Sequence, residues 1–117
     1  MRNKGFTLME LVMIIVILGI LAVIAIPKYF DLQQDAKEAA EKGVVGSVRA
    51  GLYTYYAKNK NYPTALGGAD GAATKANPLF NVVLTDGITQ DWTKAGANFT
   101  GPNSGVYVYD SVNGSFK

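Results

Sequence analysis

The sequence predicts an α+β fold: one long N-terminal α-helix, apolar in its first half and amphipathic in its second, packed against a small C-terminal antiparallel β-sheet. Three observations carry this. Residues 11–26 hold no charged side chain. From residue 29 to 58, apolar residues recur at spacings of three and four, with charged residues between them. Beyond residue 90, short alternating runs are separated by Gly-Pro-Asn-Ser-Gly and Asn-Gly, both turn formers.

The apolar run comes first. As a helix, residues 6–26 extend roughly 30 Å, enough to span a bilayer. A cleaved secretory signal fits poorly. The run exceeds the usual length of about 7–15 residues, and no small-x-small site follows it. Ile26-Pro27-Lys28-Tyr29-Phe30 stands there instead. A plain signal anchor explains the hydrophobicity but not Glu10, because an ionisable group inside a span costs on the order of 3 kcal/mol. Pro27 lacks a backbone donor and predicts a kink near residues 23–27. Gly19 allows close helix approach or a local loosening of the helix.

Composition narrows the chemistry. The chain of 117 residues has room for one domain. It contains no cysteine and no histidine. Disulfides, thiolate metal sites, thiol nucleophiles and the commonest general base are therefore excluded. Net charge is +2, with Arg2 and Lys4 both ahead of the apolar run. No basic patch for nucleic acid is visible, and no catalytic constellation or cofactor motif is present. The expectation is a protein that is not an enzyme and needs no cofactor.

Lys4-Gly5-Phe6-Thr7-Leu8-Met9-Glu10, running directly into the apolar helix, resembles the class III signal of type IV pilins and of the pseudopilins of type II secretion. A basic leader ending in Gly, an aromatic residue after it and a Glu five residues past that Gly are all in place. Pro27 stands where many members of that family have a proline. The resemblance implies that prepilin peptidase cuts between Gly5 and Phe6 and that the new Phe6 amine is N-methylated. Residues 1–5 are then a leader, 6–28 a membrane or filament-core helix, 29–58 its amphipathic continuation and 59–117 a small head. It also implies an assembly role for Glu10: in a filament, its carboxylate meets the Phe6 amine of a neighbouring subunit. Each charge is costly alone in an apolar core and less so when paired, so the pair sets register. The competing reading has Glu10 snorkelling to the headgroups.

The implied function is structural. One reading is a subunit that polymerises into a type IV pilus-like filament for adhesion, motility or DNA uptake. The alternative is a pseudopilin forming a periplasmic pseudopilus for protein export, and a membrane-anchored binding module is the remote third. Implied partners are other copies of the chain, the prepilin peptidase/N-methyltransferase, an assembly ATPase, an inner-membrane platform protein, minor pilins and a secretin. Before assembly the chain would cross the inner membrane once, with Arg2 and Lys4 favouring a cytoplasmic N-terminus. It would then pass to an extracellular pilus or a periplasmic pseudopilus.

The remaining elements follow in order. Leu32, Ala36, Ala39, Ala40, Gly43, Val44, Val48, Leu52 and Tyr55 form the expected apolar face. Gln34, Lys37, Glu38, Glu41, Lys42 and Arg49 lie opposite, with Lys37–Glu41 and Glu38–Lys42 as i,i+4 pairs. Gly43, Gly46 and Gly51 weaken the helix and could let a sheet lie close. The helix is expected to run from about Thr7 to about Lys58 and to end at Asn59-Lys60-Asn61-Tyr62-Pro63. Residues 66–73 read as a flexible surface loop. Asn77-Pro78 reads as the cap and first turn of a short helix over the following apolar residues, with a strand as the alternative. Residues 92–94, 98–100, 106–110 and 115–117 are the expected strands. The resemblance also raises calcium, for which Asp70, Asp86, Asp91 and Asp110 are the candidate oxygen donors. They lack the close alternating spacing of a calcium loop and read as solvated loop residues. Asp31 and Asp35, one helical turn apart, read as a solvated face.

Overall fold

The computed structural model describes residues 5–117. Arg2 and Lys4, and with them most of the expected leader, lie outside the described residues. A 52-residue helix α1 spans Leu8–Asn59. Five short strands follow: β1 (Gly71–Ala72), β2 (Thr93–Ala95), β3 (Asn98–Thr100), β4 (Val106–Asp110) and β5 (Ser115–Phe116). All neighbours pair antiparallel in the order β1-β2-β3-β4-β5. This is the expected α+β arrangement. The chain divides into two compact units, one ending at Asp35 and one running over Ala36–Lys117.

The first unit carries the apolar part of α1. The helix continues through Pro27, which leaves its own place in the hydrogen-bond ladder empty. Large apolar residues from Leu8 to Ile26 are exposed along the whole segment, which is long and apolar enough to cross a membrane. A Cβ added at Gly19 would meet nothing within 4 Å, so among the described residues no close approach requires its small size.

The second unit is the head. One core joins Val45, Val48 and Leu52 of α1 to Phe99, Tyr109 and Phe116 of the sheet and to Leu66, Leu79, Phe80 and Trp92 between them. Phe80 is its centre. Its ring lies 5.4 Å from Trp92, 4.8 Å from Phe99 and 5.5 Å from Phe116, and fully buried aromatic side chains supply the largest apolar burial. In β4 the tyrosines face inward while Val106 and Val108 face out. The Tyr109 hydroxyl donates to the buried Pro63 carbonyl at 2.5 Å, so inward tyrosines are accommodated without a stranded polar group.

Several expectations are corrected. Val48 and Leu52 are buried as expected, but with Glu41 and Val45 they form a stripe rotated from the rest of the expected face, which leaves Leu32 exposed. Glu41 therefore belongs to the buried side. Glu38–Lys42 forms at 2.6 Å, but Glu41 makes no ion pair among the described residues. Of the three glycines in the second half of α1, only Gly51 sits at a close approach. A Cβ there would meet the Val83 carbonyl oxygen at 2.5 Å, whereas Gly43 and Gly46 face open space. The neighbour is a loop, not a sheet. Residues 66–73 are no loose loop, since Leu66 is fully buried and β1 pairs with β2. The stretch after Pro78 is neither helix nor strand. A single bridge, Leu79 to Ile88, closes a turn-rich excursion, and Phe80 adopts a left-handed φ of 60° within it. Asn77 caps no helix. Its side-chain oxygen accepts the Ala69 N–H at 2.5 Å and its amide donates to the Ala69 carbonyl at 2.9 Å, tying two loops together.

Candidate functional site

Gly5, Phe6 and Thr7 precede α1 without regular structure, and Phe6 is 79% exposed. The peptide bond between Gly5 and Phe6 thus lies outside the helix. Thr7 stops the helix from extending over it. The Glu10 N–H donates to Thr7 Oγ1 at 3.1 Å, and the Thr7 N–H donates to Glu10 Oε2 at 3.2 Å. The first helical bond, from Leu11 N–H to the Thr7 carbonyl, measures 3.1 Å. This is a capping box: two otherwise orphaned donors at the helix start are satisfied reciprocally. A carboxylate in the first turn also complements the positive end of the helix dipole.

The carboxylate singled out in the sequence is therefore engaged inside its own subunit, on the residue next to Phe6. Thr7 is the hydrogen-bond partner of Glu10 that the sequence reading missed. The signal was available, since Thr7-Leu8-Met9-Glu10 has the threonine-x-x-glutamate spacing of a capping box. Beyond it, the exposed side chains of residues 11–26 present one continuous apolar surface.

The calcium candidates are not gathered. Asp70 Oδ1 accepts Lys94 Nζ at 2.9 Å and the Gly96 N–H at 3.0 Å. The ammonium of Lys94, and then the Gly96 N–H, hold its carboxyl below the usual carboxylate range. Asp110 accepts the Val112 N–H at 2.8 Å and the Asn113 side-chain amide at 2.9 Å, closing the turn before β5. Asp86 and Asp91 lie on the excursion between Phe80 and β2. Among the described residues no three acidic side chains converge on a metal position.

A second carboxylate, Glu41, was placed on the wrong face by the sequence reading. It is 2% exposed. Its Oε2 accepts the Asn103 N–H at 2.7 Å, and the Tyr107 phenol is close enough to be perturbed by it. Gly101 and Gly105 make room: a Cβ at Gly101 would come within 2.7 Å of the carboxylate carbon, and one at Gly105 would overlap Oε1. Burial, followed by the Glu41 carboxylate, raises the Tyr107 phenol above its usual range. The only hint in the sequence was Gly-Pro-Asn-Ser-Gly itself, which reads as a turn whether or not a side chain fills it.

Comparison with known proteins agrees with the motif. Residues 1–26 match the family model described as the prokaryotic N-terminal methylation motif. The chain is 42% identical over 64 residues to the type IV narrow pilus major component PilA5 of Thermus thermophilus, covering 55% of each. It is 34% identical over 74 residues to type II secretion system core protein G of Pseudomonas aeruginosa, covering 63% of this chain and 52% of that protein. The fimbrial protein EcpC of Eikenella corrodens is 34% identical over 105 residues, which is 89% of this chain and 69% of the relative. The chain thus spans about half the length of the first two relatives. No solved structure matches it. A shared methylation motif, an apolar helix that begins within it and similarity to EcpC over most of both chains place this protein in the type IV pilin and type II secretion pseudopilin family.

Proposed function

We propose that the chain is a structural subunit, processed between Gly5 and Phe6, that polymerises through the apolar part of α1 into a type IV pilus-like filament. One observation carries this: the methylation motif leads without interruption into a helix whose apolar side chains, from Leu8 to Ile26, find no burial within the subunit. Such a surface is stable only in lipid or against other copies, since apolar burial contributes about 25 cal/mol per Å². Exchanging lipid for neighbouring helices is the step that assembly requires. In this reading Glu10 passes from its own cap at Thr7 to the Phe6 amine of the next subunit, which fixes the stagger. An assembly ATPase and an inner-membrane platform protein would supply the energy that the chain itself lacks. Similarity to a core component of type II secretion favours a second reading, in which the filament is a short periplasmic pseudopilus.

Glu10→Gln tests the role of the carboxylate. Glutamine at this position preserves the capping box but removes the charge. The variant is expected to be cleaved normally and to yield almost no filament, as judged by immunoblots of membrane and sheared fractions. A normal filament yield would remove the charge-pairing account.

A further inference from the structure

Arg49, Tyr53, Tyr62, Asn113, Ser115 and Lys117 line a surface cavity of about 480 Å³ on the head. Its lining is rich in hydrogen-bond donors and contains no acidic side chain. Arg49 spends its Nε–H on the Phe116 carbonyl at 2.9 Å. That bond fixes the guanidinium, which still has its terminal donors to offer. The backbone of Lys117 continues the ladder with Val108, at 2.7 and 3.2 Å, while its ammonium enters no ion pair among the described residues. The carboxylate of this turn is already occupied: Asp110 accepts from Val112 and twice from Asn113. The cavity floor is fixed as well. Tyr62 stacks on Tyr56 at 4.7 Å, and Gly114 lies so close to the Tyr62 ring that any Cβ would overlap it. The Tyr53 ring stands 72% exposed at the rim.

We propose that this cavity binds an acidic sugar unit, a pyranose carrying a carboxylate or phosphate. Arg49 and Lys117 would take the oxyanion, the planar guanidinium matching two oxygens at once. The Tyr53 ring offers an apolar surface to the C–H face of a pyranose. Tyr62, Ser115 and Asn113 supply hydroxyl and amide groups for the sugar hydroxyls. A nucleic-acid strand fits less well, because following a phosphate backbone needs an extended row of cations rather than two. The site belongs to the head and does not depend on polymerisation.

The test is amide NMR of the nitrogen-15-labelled full chain in detergent micelles at low salt. It is titrated with trigalacturonate, maltotriose, inorganic phosphate and a short single-stranded oligonucleotide. Trigalacturonate should shift the amides of residues 113–117 saturably and bind about tenfold or more tighter than maltotriose, the effect of one charge-assisted contact. Arg49→Gln should weaken binding by a similar factor. Tyr53→Ala removes an exposed ring and leaves the core intact. It should weaken binding several-fold with the rest of the spectrum unchanged. Equal response to maltotriose, or no response to either sugar, overturns the proposal. So does phosphate reproducing the shifts while Tyr53→Ala has no effect, which would mean an adventitious ion only. Tighter binding of the oligonucleotide overturns the assignment to sugar. Galacturonate monomer separates the two sources that support it. Saturation by the monomer assigns a free sugar unit, and a need for the trimer assigns a polysaccharide chain.

Discussion

At the scale of single residues, two carboxylates divide the work. Glu10 closes a capping box with Thr7 at the helix start, and Glu41 is buried beneath the turn between β3 and β4. They call for different tests. Thr7→Ala removes the cap but keeps the Glu10 charge, and should cost about 1 kcal/mol of local helix stability. Filament yield is then expected to fall modestly, where Glu10→Gln abolishes it. Sheared-fraction yields for the two variants, measured side by side, separate capping from charge. Glu41→Ala removes the buried acceptor of the Asn103 N–H and empties the space that Gly101 and Gly105 leave for it. Thermal or urea unfolding should show a loss of about 1–3 kcal/mol. Glu10 was legible in the sequence because its motif is local. Glu41 was not, because the groups it serves lie some sixty residues further along the chain.

At the scale of elements, the long helix and the last three strands were legible and the middle of the head was not. Helix α1 has a sustained spacing of three and four, a threonine start and a Tyr-Pro end. β3 and β4 fall on their expected residues because alternation and flanking turns are local signals. The excursion around Phe80 has no such signal. A left-handed Phe80 and a bridge from Leu79 to Ile88 arise from packing the ring among Trp92, Phe99 and Phe116. Tertiary burial there overrides the helix preference suggested by Asn77-Pro78. Phe80→Ala empties the centre of this cluster and should cost about 3–5 kcal/mol, read as a lowered denaturant midpoint. An effect below about 1 kcal/mol would show that the core does not depend on that ring. The rotation of the buried stripe has a similar cause. Alanines at 36, 39 and 40 carry too little surface to decide which face turns inward, and Val45, Val48 and Leu52 decide it.

At the scale of the whole molecule, a small head with one aromatic core accompanies a helix whose apolar segment is exposed among the described residues. The head should respond to alkali. The phenols of Tyr107 and Tyr109 are both raised above 10.0, chiefly by burial. The folded head therefore holds these protons more tightly than the unfolded chain does. The stability they contribute is fully present below the unfolded value and is lost as pH rises through the folded values. Denaturant midpoints should hold up to about pH 9 and fall above about pH 10. Tyr109→Phe should flatten part of that fall. The apolar segment of α1 leads to the central claim, that this chain is processed and then packed into a filament. The most direct measurement is the intact mass of the protein recovered from sheared cell-surface material. A mass equal to residues 6–117 plus one methyl group, found in filaments, is the expected result. The same mass confined to the membrane fraction would favour the pseudopilus. A mass that still begins at Met1 would contradict the account, leaving the helix as an uncleaved anchor.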